Sequence, residues 1–138
     1  EGPYGAFTAG RAKMPHIVLV GGGVGITPVR ALIDEFKNGV QIDVIYRASR
    51  KEDLVLKEEL DYLEYHSNGS IRVHYLVGSR KEHPMGADAL KKLVPAIADS
   101  DIYICGPGPL VEAVKQAVED LGVPKNRFHD EAFAFHSE

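Results

Sequence analysis

The strongest constraint on this chain is a short apolar run that stops at a glycine-rich turn. Residues 16–20 (His-Ile-Val-Leu-Val) have the β-branched, apolar composition of a short buried strand. Four of the next five positions are glycine, which leaves backbone N–H groups free to face a large anion. Thr27 and Pro28 follow. Proline is favoured in the first turn of a helix, so we predict that a helix starts here and continues over 29–37. This order of strand, glycine turn and helix start is typical of a dinucleotide or phosphate site.

The spacing of these glycines differs from two common phosphate-binding motifs. A G-x-G-x-x-G fingerprint that starts at Gly21 would need glycine at position 26, which is Ile26. No Gly-Lys-Ser/Thr follows, which excludes a P-loop. The alternative interpretation is a tight strand-to-helix turn without a ligand, although four glycines are more than such a turn requires.

Composition limits the class of protein. The chain has 138 residues, of which 44% are hydrophobic, enough for one domain with a core, and its net charge is −4. Without a basic block, no nucleic acid is expected as a partner. No run approaches the ~18 apolar residues of a membrane span. One cysteine and six scattered histidines lack the spacing of metal motifs, so we expect no metal site.

Predicted strands and helices alternate along the remaining chain. Further strands are predicted over 41–46, 70–77, 101–105 and 127–135. Further helices are predicted over 54–66, 87–98 and 110–121, and Pro95 marks the break or end of the second of these three. The alternation predicts an α/β fold, a doubly wound, Rossmann-like five-stranded parallel sheet of order 3-2-1-4-5 with helices on both faces. In that order the first and fourth strands are neighbours. The glycine-rich turns at 21–25 and 106–108 would then line one crevice at the carboxyl ends of the strands.

The loop after the second strand bears on which nucleotide is bound. NAD-selective Rossmann sites use an acidic residue here to bond the ribose 2′-OH. This chain has Arg47, Ser49 and Arg50 instead, and guanidinium groups with a hydroxyl would hold a 2′-phosphate by charge-assisted bonds. The charge favours NADPH over NADH, with NAD as the second choice. A solvated basic loop is the alternative, since Glu52 and Asp53 follow at once.

Four motifs together resemble the NAD(P)-binding domain of the ferredoxin–NADP reductase superfamily, over nearly the whole chain. In chain order they are Gly-Pro-Tyr-Gly at 2–5, Gly-Gly-Gly-Val-Gly-Ile-Thr-Pro at 21–28, Cys-Gly-Pro at 105–107 and Glu-x-Phe at 131–133. The resemblance implies that residues 1–13 are a linker from an FAD-binding barrel upstream and that residues 14–138 are the NAD(P)-binding domain.

Within that superfamily, two stretches look most like ferric-reductase-like or NADPH-oxidase-like proteins. These are Tyr-Arg-Ala-Ser-Arg at 46–50 and the Asp-Glu-Ala-Phe tail at 130–133. In such proteins membrane haem helices precede the flavin barrel, which implies a membrane-anchored parent protein with this domain on the cytoplasmic side. The electrons of NADPH would pass through FAD to a haem, iron or other acceptor. A nucleotide-binding regulatory module without catalysis is the alternative function.

The resemblance also implies roles for individual residues. The implied cofactor-binding positions are Gly22, Gly23, Val24, Gly25, Thr27, Pro28, Arg47, Ser49, Arg50, Gly106, Pro107, Gly108 and Phe135. Cys105 would lie beside the nicotinamide and help position hydride transfer to the flavin. Glu131 and Phe133 match a tail whose aromatic ring stacks on the flavin, and Phe135 competes with Phe133 because both lie on one side of a strand. The alternative interpretation, from the residues alone, is that Cys105, Phe133 and Phe135 are core residues without a role at a cofactor.

Overall fold

The computed structural model describes residues 14–36 and 39–130. Its sheet has five parallel strands: β1 (His16–Gly22), β2 (Gln41–Ala48), β3 (Ile71–Val77), β4 (Asp101–Cys105) and β5 (Phe128–His129). Their order across the sheet is β3-β2-β1-β4-β5. The predicted α/β fold and strand order are therefore confirmed, and β1 lies between β2 and β4 as the site prediction required.

Four α-helices connect the strands within the described ranges. They are α1 (Ile26–Phe36), α2 (Lys57–Tyr65), α3 (Ala87–Leu93) and α4 (Gly108–Asp120). The helix α1 begins at Ile26, so Pro28 lies in its first turn as predicted, as the third residue. The position is tolerated because the first four N–H groups of a helix have no partner within the helix. No described helix is both long enough and apolar enough to cross a membrane.

Two other predicted boundaries, the end of the second strand and the start of the second helix, were wrong. The second strand continues to Ala48, and α2 starts at Lys57, after a short 3-10 turn over Lys51–Asp53. The helix α3 ends at Leu93, next to the break predicted at Pro95, because proline cannot continue a helix and disfavours helical backbone before it. The last predicted strand is described only up to residue 130, and its observed part is β5.

The core lies on both faces of the central strands. All side chains of β4 and those of β1 after His16 are buried, as expected for parallel strands covered by helices on both sides. The edge strand β3 is less covered, and only Ile71 among its residues is fully buried. On β5, the ring of His129 stacks on Tyr103 with a centroid distance of 4.2 Å.

A buried charge network ties the strands together near their amino ends. The carboxylate of Asp43 is completely buried and lies 2.8 Å from Nε2 of His16 and 2.8 Å from Nε2 of His74. The guanidinium group of Arg72 donates two further hydrogen bonds of 3.1 Å. Burial raises the pKa of Asp43, but the hydrogen bonds from His16, His74 and Arg72 outweigh it and hold this pKa well below its usual range. The network therefore compensates a charge that would otherwise be costly to bury.

Candidate functional site

The turns that follow β1 and β4 are in direct contact. Gly21 of β1 pairs with Cys105 at the end of β4. A Cβ atom added at Gly25 would lie only 2.0 Å from the carbonyl oxygen of Cys105 and 2.9 Å from the nitrogen of Gly106. No side chain fits such a gap, so glycine at position 25 permits the close approach of two backbones. The two predicted turns therefore lie side by side.

The glycines of this region differ in what they make room for. Added Cβ atoms at Gly22 and Gly106 would meet the Leu110 side chain of α4, at 2.7 and 3.0 Å. Gly23 is different, because nothing lies within 4 Å of its added Cβ and its φ angle is +58°. Only Gly23 combines left-handed backbone with open space in this turn. It is the position where exposed backbone is available to a ligand.

A cleft of about 820 Å³ opens at this edge of the sheet. Of the predicted binding residues, those that line it are Gly22, Gly23, Val24, Thr27, Arg47, Ser49 and Pro107. Those that do not line it are Gly25, Pro28, Arg50, Cys105, Gly106 and Gly108. Its volume lies within the range of small-molecule and cofactor sites, roughly 300–1,000 Å³. The cleft lies at the switch point of the sheet, where doubly wound folds bind ligands.

Cys105 is placed at the end of β4 as predicted, but its thiol is enclosed. The residue is 1% exposed and does not line the cleft. Burial raises the pKa of its thiol to about 11. The thiol is therefore protonated at neutral pH and unsuited to nucleophilic chemistry. Its role beside a nicotinamide stays a prediction.

The predicted basic loop presents its arginines in different ways. Arg47 is half-buried and its Nη1 donates a 3.0 Å hydrogen bond to the carbonyl of Leu76, while burial lowers its pKa. Ser49 is exposed on the cleft wall. Arg50 is directed toward Asp53, with 3.5 Å between Nη2 and Oδ1, and Asp53 itself lines the cleft. The loop thus offers Arg47 and Ser49 to a ligand directly, and Arg50 only through its contact with Asp53.

Several residues on the cleft wall were missed by sequence reasoning. They are Ile26, Ala48, Asp53, Val55, Arg80, Pro84, Met85, Pro109, Leu110 and Ala113. Arg80 and Met85 belong to the loop after β3, which carries no phosphate-binding motif. The available signal was topological, because the predicted order places the carboxyl end of β3 at the same edge as the glycine turns. Val24 and Val55 are 77% and 74% exposed here, which is unusual for such apolar side chains.

The donor set of the cleft fits a pyridine dinucleotide. Open backbone at Gly23 and the start of α1 suit a phosphate, and the apolar Val24, Val55 and Leu110 suit planar rings. Within the described ranges, no group of three or more His, Cys, Asp or Glu side chains is arranged to hold a metal ion. Four further predictions concern residues that lie outside the described ranges. They are the linker over 1–13 and the positions of Glu131, Phe133 and Phe135 at the flavin.

Comparison with known proteins identifies relatives for nearly the whole chain. Residues 19–116 match the family model of the oxidoreductase NAD-binding domain. The chain is 37% identical over 152 residues to NADH-cytochrome b5 reductase 1 of Pyricularia oryzae, covering 98% of this chain and 49% of that protein. With the Aspergillus oryzae protein of the same name it is 34% identical over 155 residues, covering 98% of this chain and 53% of that one. The chain thus spans about half the length of these relatives.

Solved structures share the same fold. The cytochrome b5 reductase domain of Ulva prolifera nitrate reductase aligns with a TM-score of 0.69 at 19% identity, covering 86% of this chain and 49% of that one. The flavohem-like FAD/NAD-binding domain of nitric oxide dioxygenase from Vibrio cholerae aligns with a TM-score of 0.68 at 23% identity, covering 86% and 50%. The chain therefore shares its fold with part of each of these two structures.

Proposed function

Because the chain belongs to the oxidoreductase NAD-binding domain family, within the ferredoxin–NADP reductase superfamily, we propose that it is the NADPH-binding half of a flavin-dependent oxidoreductase. The observation that carries this proposal is the cleft at the switch point of the sheet, with the open backbone of Gly23 beside the start of α1. The second half would be an FAD-binding domain of the same protein, which agrees with the chain spanning about half of its relatives.

In this proposal the residues of the chain bind and orient the nucleotide. The backbone at Gly23 and the first turn of α1 hold the pyrophosphate, since unpaired N–H groups and the helix dipole favour negative charge there. Val24, Val55 and Leu110 pack against the rings and exclude water from them. Bound NADPH supplies a hydride to the flavin, and the protein contributes position and electrostatics.

The choice between the two nucleotides depends on the residues at the end of β2. Arg47 and Ser49 line the cleft and support NADPH, because both can donate hydrogen bonds to a 2′-phosphate. Asp53 supports NADH, because its carboxylate also lines the cleft and would repel that phosphate. The fungal relatives are likewise named NADH-cytochrome b5 reductases. We favour NADPH, since Arg50 lies against Asp53 and offsets its charge.

The destination of the electrons is a further part of the proposal. We propose a haem or iron acceptor beyond the flavin, supported by the cytochrome named in the fungal relatives. A parent protein anchored in a membrane, with this domain on its cytoplasmic side, belongs to the same proposal. Reduction of haem by NADPH in the complete parent protein, followed by absorbance, tests this part.

A nucleotide-binding module without turnover is the second candidate function. The enclosed thiol of Cys105 favours it, because the residue expected beside the nicotinamide does not reach the cleft. Flavin reduction by NADPH in the full-length parent protein separates the two candidates. A protein that binds NADPH and FAD without reducing the flavin would support the module.

Titration calorimetry of the chain with NADPH and NADH tests the binding site itself. The variant Val24→Glu places a carboxylate on the cleft wall at an exposed position, and we expect it to weaken both nucleotides at least roughly tenfold. Tyr65→Glu is the control, since Tyr65 on α2 is 83% exposed, against 77% for Val24, and does not line the cleft. Failure of the unmodified chain to bind either nucleotide would refute the proposed function.

A further inference from the structure

Resting on the proposed function, we propose that Arg80 is a specificity-determining residue that binds the 2′-phosphate of NADPH. Arg80 lies in the loop between β3 and α3, 30 or more positions from the residues at the end of β2 that the sequence singles out. It lines the same cleft as Arg47 and Ser49. The cleft wall at this end therefore carries a second guanidinium group that no sequence motif indicated.

The position of Arg80 along the sheet identifies the part of the nucleotide that it can reach. The glycine turn follows β1, Ser49 follows β2, and Arg80 follows β3, in the spatial order β3-β2-β1. Adjacent strands are about 4.8 Å apart, so Arg80 starts from a strand roughly 10 Å from the one that carries the pyrophosphate turn. The site of Arg80 is hence on the far side of Ser49 from the glycine turn. A dinucleotide with its pyrophosphate at the glycine turn has its adenosine end in this direction.

The turn that carries Arg80 is fixed by hydrogen bonds of its own. The N–H of Ser79 donates to the carboxylate of Glu82 at 2.8 Å, and the N–H of Glu82 donates to Oγ of Ser79 at 3.3 Å. The backbone of Gly78, with a φ angle of +132°, donates to the carbonyl of Ala48 at 2.9 Å. This last bond attaches the Arg80 turn to the residue that directly precedes Ser49. The loops after β2 and β3 thus form one unit at the cleft wall.

The guanidinium group of Arg80 is available for a ligand. Among the arginines of residues 14–36 and 39–130, the other five have a protein acceptor: Arg30, Arg47, Arg50, Arg72 and Arg127. Arg80 makes no hydrogen bond or ion pair with any described residue. Its five N–H donors form a planar fork that matches the oxygens of a phosphate. Asp53 is the one carboxylate on the described cleft wall, and Arg50 already contacts it.

The neighbour Lys81 provides a matched control for the charge of this turn. Lys81 is exposed, lies next to Arg80 and does not line the cleft. Removal of either side chain lowers the net charge by one, so long-range electrostatics change equally. Only Arg80→Ala removes a donor from the proposed phosphate site. Equal melting temperatures for both variants would show that the fold is unaffected.

Titration calorimetry with NADPH, NADH and 2′,5′-ADP tests the proposal. We expect Arg80→Ala to weaken NADPH and 2′,5′-ADP roughly tenfold or more, as for loss of charge-assisted bonds, while NADH changes less than about twofold. Lys81→Ala should leave all three affinities within about twofold, and Arg80→Lys should fall between Arg80→Ala and the unmodified chain.

The possible failures of this experiment are distinguishable. Equal losses for NADPH and NADH in Arg80→Ala would overturn the proposal, because the residue would then contact a part common to both nucleotides. An unchanged affinity for 2′,5′-ADP would overturn it as well. If the unmodified chain bound neither dinucleotide, the proposed function itself would fail. If that chain bound NADH but not NADPH, nucleotide binding would stand, whereas the choice of NADPH and the 2′-phosphate site would both be refuted.

Discussion

Replacement of Gly25 by alanine tests whether the two glycine turns depend on their mutual contact. The added Cβ atom would lie 2.0 Å from the carbonyl oxygen of Cys105, whereas Cβ atoms essentially never approach closer than 3.0 Å. The turns would therefore have to separate by at least about 1 Å. Overpacking of this kind typically costs about 1–3 kcal/mol. We expect the upper end, about 3 kcal/mol, because the obstacle is backbone rather than a flexible side chain.

Urea unfolding measures this cost directly. With an m-value of roughly 2 kcal/mol/M, a loss of about 3 kcal/mol lowers the midpoint by about 1.5 M. Gly108→Ala is the control without a clash, since nothing lies within 4 Å of its added Cβ and Gly108 is the first residue of α4. It should be neutral or slightly stabilising.

A second control separates backbone strain from the clash. Gly23→Ala meets no atom within 4 Å but needs a φ angle of +58°, which costs about 1–2 kcal/mol for an L-residue. The expected order of destabilisation is therefore Gly25→Ala, then Gly23→Ala, then Gly108→Ala. A Gly25→Ala variant no less stable than Gly23→Ala would refute the argument that backbone contact between the turns requires this glycine.

Three further predictions concern charge and ionisation. Asp43→Asn should lower the free energy of unfolding by about 3 kcal/mol at pH 7, measured by urea unfolding. The pKa of Asp43 is lowered in the fold, so the carboxylate stabilises the folded chain above the ordinary carboxyl pKa near 3.9, and this stabilisation is lost as the pH falls below that value. An unmodified chain no more acid-sensitive than Asp43→Asn would contradict this role of the carboxylate. The pKa of Cys105 is raised to about 11, so the free energy of unfolding should fall as the pH rises from about 8.5 toward 11. Iodoacetamide should label the thiol at pH 8 far more slowly in the folded chain than in the urea-unfolded chain. Comparable labelling rates would show an accessible thiol. Asp53→Asn should increase the affinity for NADPH relative to NADH severalfold in calorimetry, because a carboxylate leaves the cleft wall, whereas an unchanged ratio would place Asp53 away from the 2′ position.

The strand order could be predicted because it depends on regular patterns. Alternating strands and helices with two glycine turns leave few topologies for a parallel sheet, and the order followed from them. The start of α1 could also be predicted closely, because proline at position 28 is typical of the first turn of a helix.

The roles of single residues were harder to predict because they depend on contacts between distant segments. Gly25 was interpreted as bare backbone for a ligand, but its constraint comes from Cys105, 80 positions later. Arg80 enters the cleft only because β3 ends beside β2. Asp43 stands in an apolar strand without any local signal, and its partners lie 27 to 31 positions away. Contacts between residues so far apart in sequence can be predicted only when the register of the strands is known.

The Asp43 network, which affects stability, and the cleft, which affects nucleotide choice, lie at opposite ends of the same strands. Ala48 on the cleft wall lies five positions after Asp43 along β2, which at about 3.3 Å per residue is roughly 16 Å. Substitutions this far apart usually have additive effects on free energy. Designers could therefore strengthen the amino end of the sheet for heat or acid tolerance while independently exchanging residues of the opposite rim to alter nucleotide choice.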